Sequence, residues 1–254
     1  MTKTIFITGS TDGIGLLTAK TLAAQGHDVI LHGRSAGKLA SAVAELGGTV
    51  AAYEADLSSL EETAALAKAI AAKHTQFDVL INNAGVYKAP DPVLDSGQDI
   101  RFVVNTLAPH VLTTGLLPVL ARDGRVINLS SAAQAPVDLA ALAGRRTLGD
   151  MDAYAQSKRA IALWSAHMAA KYPTGPTFIA VNPGSLLATK MVKEGFGVAG
   201  HDMQIGADIL SRLALDREFS SAAGKYWDND IGDFASLDLR QAEAVMEQIV
   251  NLTA

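Results

Sequence analysis

Cysteine is absent from the 254 residues, which excludes disulfides, thiolate nucleophiles and Cys-based metal sites together and fits a reducing compartment. Basic charge is sparse as well. Lys and Arg number 21 against 26 Asp and Glu, the formal net charge is −5, and the cations are scattered rather than gathered in a stripe. Nucleic acid is therefore not an expected partner. Long apolar runs are missing too: the longest, 107–121, is broken by proline and histidine and falls short of the roughly 18 residues a membrane span needs. No membrane association is expected. The six histidines, at 27, 32, 74, 110, 167 and 201, show no metal-ligand spacing, so no metal site is assigned; His110 reads as a packed helix residue. A strand begins at Lys3 and leaves no room for a signal peptide, which makes the cytoplasm the expected location. There is no internal repeat, low-complexity tract or linker that would divide residues 1–254.

What is present is a chain with 49% hydrophobic residues, enough to bury a large core. Short β-branched runs alternate with stretches of helical period. Strands at "TIFITG", "HDVILHG", "GTVAAYEAD", "FDVLINN", "GRVINLS", "PTFIAVNPG" and "GKYW" are followed by helices near 13–25, 36–45, 58–73, 97–121, 152–171 and 239–250. This alternation predicts right-handed βαβ units, hence a single doubly wound α/β domain with a parallel sheet of about seven strands and helices on both faces. The continuously apolar strands agree, because both sheet faces would be buried.

The first strand runs into "TGSTDGIG", with Gly9, Gly13 and Gly15 where a helix begins. Glycines here allow a pyrophosphate to approach the backbone, and the amides and dipole of the helix N-terminus favour its charge. Ser10, Thr11, Asp12 and Ile14 complete the loop. The second strand ends in Gly33, Arg34 and Ser35, where an NAD-selective site would carry an acid for the ribose 2′-hydroxyl. A guanidinium suits a 2′-phosphate instead, so NADP(H) is the preferred cofactor, with NAD(H) still possible. Arg34 would make that contact, with Ser10, Thr11 and Ser35 assisting. A solvated surface arginine is the plainer alternative.

The segment "DAYAQSKRAIALWS" places Tyr154 and Lys158 four apart on one helix face. With "TGSTDGIG", "NNAG" at 82–85, "INLSS" at 127–131, "YAQSK" at 154–158 and "PG" at 183–184, the chain resembles the short-chain dehydrogenase/reductase family from Lys3 to about Thr189. Its 22-residue stretch between Ser131 and Tyr154, and "GKYW" at 224–227, point toward the retinol-dehydrogenase-like branch. The resemblance implies a Rossmann-type fold and an alcohol dehydrogenase or carbonyl reductase in which Ser131, Tyr154 and Lys158 are catalytic and Asn105 assists. It also implies that Asp56 and Leu57 lie by the adenine, that Asn82, Asn83, Ala84 and Gly85 pass the ribose, and that Pro183, Gly184 and Thr189 meet the nicotinamide. Asp56 could equally cap the next helix. Oligomers are common in such proteins, so a homodimer or homotetramer is expected, with the apolar faces at 97–121 and 152–171 as its interface.

Chemistry supports these assignments. Tyrosine, with an ordinary pKa of about 10, needs a nearby positive charge to act as a base, and Lys158 can supply it. Ser131 can donate to a substrate oxygen as charge develops there. Pro109, four residues after Asn105, removes the helical partner of the Asn105 carbonyl, which predicts a bent helix with a water at that carbonyl; the resemblance implies that such a water relays protons between Lys158 and solvent. The loop at 132–151, including Arg145 and Arg146, is a candidate pocket wall. Residues about 186–206, with Gly195, Gly197 and Gly200, suit a mobile lid, whose apolar underside would be Met191, Val192, Phe196 and Val198. The substrate is expected to be a small apolar carbonyl or alcohol. Two other readings stay open: a non-catalytic NADP(H)-sensing regulator, and an epimerase or dehydratase on the same scaffold. The short region after Thr189 argues against the latter.

Overall fold

The computed structural model describes residues 1–48 and 50–254, with the backbone alone at Phe196. The chain lays down β1 (Thr4–Ile7), α1 (Gly13–Ala24), β2 (Asp28–Gly33), α2 (Ala36–Glu45), β3 (Ala51–Glu54), α3 (Leu60–Lys73) and β4 (Phe77–Asn82). The second half continues with α4 (Ile100–Phe102), a π-helical stretch (Val103–Leu107), α5 (Ala108–Leu116), β5 (Leu120–Leu129), α6 (Leu139–Leu142), α7 (Asp150–Lys171) and β6 (Thr177–Asn182). It ends with α8 (Lys190–Phe196), α9 (Gln204–Leu215), β7 (Tyr226–Asp228), β8 (Asp233–Ala235) and α10 (Ala242–Thr253). Thr49, read as part of the third strand, lies outside the described residues.

The sheet order is β3-β2-β1-β4-β5-β6-β7-β8. The seven expected strands are parallel, and β8 adds an antiparallel edge strand that pairs Trp227 with Phe234. No periodicity announced β8, because it is only three residues long. One core lies between the sheet and α3, α5, α7 and α10, around Phe6, Phe102 and Trp164; the other, around Ile5, Leu22 and Ile209, lies beneath α1 and α9. The strand order reverses between β1 and β4, and in open α/β sheets this switch opens a crevice at the carboxyl ends of the strands.

Helix signals in the sequence act as expected at several ends. Gly26 follows α1 with φ +84°, the left-handed stop that glycine tolerates. Ser59 and Glu62 open α3 as a capping pair: the Ser59 hydroxyl accepts from the Glu62 N–H, while the Glu62 carboxylate accepts from the Asp56 N–H. Asp56 is therefore not the cap. Its carboxylate instead holds the Ser58 N–H and hydroxyl.

The region 100–119 departs from expectation in two ways. Instead of a simple proline kink, the helix widens by one residue per turn over Val103–Leu107, just before Pro109. Proline brings no N–H for the carbonyls of Val104 or Asn105, and a π-bulge is an established way to absorb such a gap. Ile100–Val119 is also long and apolar enough to cross a membrane by length and composition, contrary to the shorter runs read from the sequence, with 67% of its apolar window buried in the fold.

Candidate active site

Gly9 and Gly13 adopt left-handed φ values of +64° and +55°, which turn the chain from β1 into α1. Gly15 is required by proximity: a Cβ there would lie 2.4 Å from the Asn83 amide nitrogen and from the Gly9 carbonyl oxygen. Asn83 in turn donates to the carbonyls of Thr8 and Gly9, so the loop after β4 staples the loop after β1. Asp12 caps α1 through the Gly13 N–H and pairs with Lys38 of α2 at 3.0 Å.

These loops border a cleft of about 940 Å³ at the carboxyl ends of the strands. Of the catalytic and cofactor-binding residues assigned from sequence, Ser10, Ser35, Asn82 and Asn105 do not line it; the others in those two groups do. Ser10 is fully buried, and its hydroxyl is spent on the Ile7 carbonyl and the His32 N–H. It cannot assist Arg34. Ser35 stands exposed at the start of α2 without a side-chain cap bond. Asn82 is buried against Thr113 and Asn128. Arg34 is exposed on the cleft, while nearby Lys38, which also lines it, is held by Asp12. A Cβ at Gly33 would lie 2.5 Å from the Thr11 methyl, so the residue replacing an acid also makes room for Thr11.

At the other end of the cleft stand Ser131, Tyr154 and Lys158. Ser131 follows β5, and its carbonyl accepts from Tyr226 Oη at 2.9 Å and Gln134 Nε2 at 3.0 Å. Ser130 turns the opposite way, donating to the Lys158 carbonyl, as alternation along an extended chain requires. The Ser131 hydroxyl accepts from the Ala133 N–H at 3.2 Å and lies close enough to the Tyr154 phenol to favour its ionised form. Lys158 Nζ donates to the Leu129 carbonyl at 2.7 Å and lies 5.7 Å from the centre of the Tyr154 ring.

Burial pushes the Tyr154 phenol up; the Ser131 hydroxyl opposes this and Tyr87 adds to it. Burial also pulls the Lys158 ammonium down to about 8. Burial thus dominates at both groups in the protein alone, because each charged form is penalised by removal from water. Asn105, buried beside them, accepts from the Val86 N–H at 2.7 Å and donates to the Val86 carbonyl and Ser157 hydroxyl, both at 2.9 Å. Its side chain ties the loop after β4 to α7.

The third wall begins at Pro183 and Gly184. Asn229 donates to the Pro183 carbonyl, and Asp230 accepts from the Ser185 N–H, the Ser185 hydroxyl and the Asn182 amide. Burial opposes ionisation of Asp230, but these bonds outweigh it and keep its carboxyl below the ordinary value. Neither Asn229 nor Asp230 was assigned from the sequence, since only the β7–β8 turn brings them here. Thr189 caps α8 through the Val192 N–H and still lines the cleft.

Two of the lid glycines stand where a side chain has no room, and the third ends a helix. A Cβ at Gly195 would lie 2.5 Å from the Tyr87 ring, one at Gly200 would lie 2.6 Å from Ala188 Cα, and Gly197 closes α8 at φ +68°. Among the described residues, Leu186, at φ +51°, is the one non-glycine residue in the left-handed region. Met191 and Val192 face the cleft as expected; Val198 is 42% exposed and does not line it, while the Phe196 side chain lies outside the described residues. Arg145 and Arg146 also point away from the cleft, Arg146 pairing with Asp138. From the same loop Ala132, Ala133 and, at the start of α7, Met151 reach the cleft instead. Tyr87, absent from the sequence assignments, packs edge-on to Tyr154 at 5.3 Å. No cluster of three or more His, Asp or Glu with metal-binding geometry occurs among the described residues.

Comparison with known proteins agrees with this geometry. The short chain dehydrogenase family matches residues 3–196. Human retinol dehydrogenase 13 is 31% identical over 89% of this chain and 76% of its own length. The short-chain dehydrogenase chyC of Penicillium rubens is 34% identical over 88% and 85%. Among solved structures, an uncharacterised protein of Mycobacterium paratuberculosis superimposes with a TM-score of 0.81 at 27% identity over 99% of this chain and 93% of that one. A short chain dehydrogenase of Escherichia coli CFT073 complexed with NADPH gives 0.71 at 28% identity, over 89% and 96%. The chain belongs to the short-chain dehydrogenase/reductase family of oxidoreductases, in its retinol-dehydrogenase-like branch.

Proposed function

We propose that this chain is an NADP(H)-dependent alcohol dehydrogenase or carbonyl reductase acting on a small apolar aldehyde, ketone or alcohol. The carrying observation is one continuous cleft with the glycine loop and exposed Arg34 toward one end and Ser131, Tyr154 and Lys158 toward the other. The residues fit a nicotinamide dinucleotide: the N-terminus of α1 suits a pyrophosphate, and Arg34 has the charge and geometry for a 2′-phosphate. When bound, that cofactor supplies or accepts the hydride.

Tyr154 is positioned to give a proton to the substrate oxygen in reduction or to take one in oxidation. Its upward shift keeps the phenol protonated near neutrality, which suits reduction; oxidation requires the phenolate and gains as pH rises. Ser131 holds the substrate oxygen through its hydroxyl. Lys158, poised near neutrality in protonation, stabilises a phenolate when charged, and Asn105 fixes the strand-to-helix geometry around it. Tyr87, Met151, Met191 and Val192 line the cleft beside Tyr154 and favour an apolar substrate. A cytoplasmic setting belongs to the same reading and is supported by the cysteine-free sequence. A homodimer or homotetramer also belongs to it; within one chain α5 packs chiefly on α3, and α7 on β6 and α10.

A screen of aldehydes, ketones and alcohols, with NADPH and NADH consumption or formation followed separately, tests the reading. Turnover with NADPH preferred over NADH is expected, and Arg34→Ala should raise the NADPH KM about tenfold or more, the loss of a charge-assisted bond. An unchanged KM removes the role of Arg34. NADPH binding without turnover of any substrate replaces this reading with that of a redox-sensing regulator.

A further inference from the structure

One buried imidazole stands between two walls of the cofactor cleft. His32 is 3% exposed and follows Leu31, the last residue of β2 in register with β1. There the β1 chain leaves the sheet to become the glycine loop. The His32 ring takes over where the ladder stops: its Nδ1 accepts from the Gly9 N–H at 3.1 Å, and its Nε2 meets the Ala55 carbonyl at 3.2 Å. Only the tautomer with its proton on Nε2 satisfies both partners. The backbone joins in, since the Ser10 N–H donates to the His32 carbonyl and the His32 N–H donates to the Ser10 hydroxyl. Phe6 packs against the ring at 87°, which fixes its plane.

Gly9 belongs to the loop beneath the expected pyrophosphate, and Ala55 precedes Asp56 and Leu57 beside the expected adenine. His32 and both of its ring-bonded residues line the cleft. We infer that His32 is a positioning residue that fixes the glycine loop relative to the segment after β3, and so sets the width of the adenosine half of the cofactor site. The inference rests on the NADP(H) reading above. An apolar residue of similar shape would preserve packing on Phe6 but leave the Gly9 N–H and Ala55 carbonyl without these partners. Burial also holds the imidazole neutral, with its pKa near 4 and the Asp56 carboxylate opposing the shift, so the ring keeps its acceptor toward Gly9 at neutral pH.

The full-length protein and its His32→Phe, His32→Asn and His32→Gln variants would be titrated with NADPH and with adenosine 2′,5′-bisphosphate, and their thermal midpoints recorded. NADPH binding by the unaltered protein tests the cofactor reading; the comparison among variants tests His32. The expected result is an about tenfold weaker Kd in His32→Phe for both ligands by the same factor, because the damage is confined to the adenosine half. Asn can keep the contact to Gly9 and Gln the contact to Ala55, so each should recover part of the loss. Unchanged Kd values, whatever happens to the thermal midpoint, overturn the inference. So does a loss for NADPH several-fold larger than for the bisphosphate, which would signify general loosening. If His32→Phe does not fold, the Asn and Gln variants carry the test, and unaltered affinity in both overturns it.

Discussion

Tyr154 and Lys158 lie one turn apart on α7, and burial moves both away from their charged forms. Removing the phenol hydroxyl removes the proposed proton donor without touching the glycine loop. Tyr154→Phe should therefore reduce turnover by several orders of magnitude while NADPH Kd changes little, read by single-turnover kinetics beside a fluorescence titration; retained turnover would assign the proton to another group. Lys158→Ala should damage both turnover and NADPH binding, since its ammonium stands beside Gly85, where a Cβ would lie 3.4 Å from Nζ, as well as beside the Tyr154 ring. Two histidines make a different prediction. His32 and His110 are pulled to about 4 by burial, against 6.5 in the unfolded chain, with Asp56 opposing the shift at His32 and Lys171 adding to it at His110. Between those values the unfolded chain binds the extra protons, so stability is retained above the window and lost as pH falls through it. Each contributes roughly 3 kcal/mol of stability across that window. Urea unfolding across the window checks the sign, and His110→Asn should flatten the slope; a slope unchanged in that variant contradicts the assignment.

Among the elements, α8 has the most specific seat. Its Gly195 meets Tyr87 with no space for a side chain, and Tyr87 in turn meets Tyr154. Gly195→Val should tip α8 off the cleft, and so raise the NADPH KM several-fold and speed proteolysis within 186–201; wild-type values for both would show that α8 does not close the site. The helix starting at Ile100 is the clearest case of incomplete legibility. Pro109 announces a backbone defect, but whether the chain answers with a kink or a wider turn depends on what surrounds it. Here Asn105 must reach Val86 and Ser157 together, and the π-helical stretch accommodates that reach.

At the scale of the whole molecule, α5 packs chiefly on α3, and α7 on β6 and α10, which covers apolar surface of both helices within one chain. Val245, Met246 and Ile249 are buried there, and His110 reaches Thr253 at 3.1 Å. Ile249→Ala should cost about 3 kcal/mol, within the range for truncating a buried aliphatic side chain, and leave the oligomeric mass unchanged in light scattering. A changed mass would return that face to an interface between copies. The alternation of strands and helices, the glycine loop, the Tyr154–Lys158 spacing and the absence of cysteine are local facts, and the sequence by itself determined them: periodicity and turn chemistry act over a few residues. The tertiary structure alone decided that Ser10 and Asn82 face the core and that Val198 and Arg145 face away from the cleft. It likewise decided that Tyr87, Asp230 and His32 stand at the site. These depend on which distant segments meet, and a side chain's partners across β-strand crossovers are fixed by packing in three dimensions rather than by spacing along the chain.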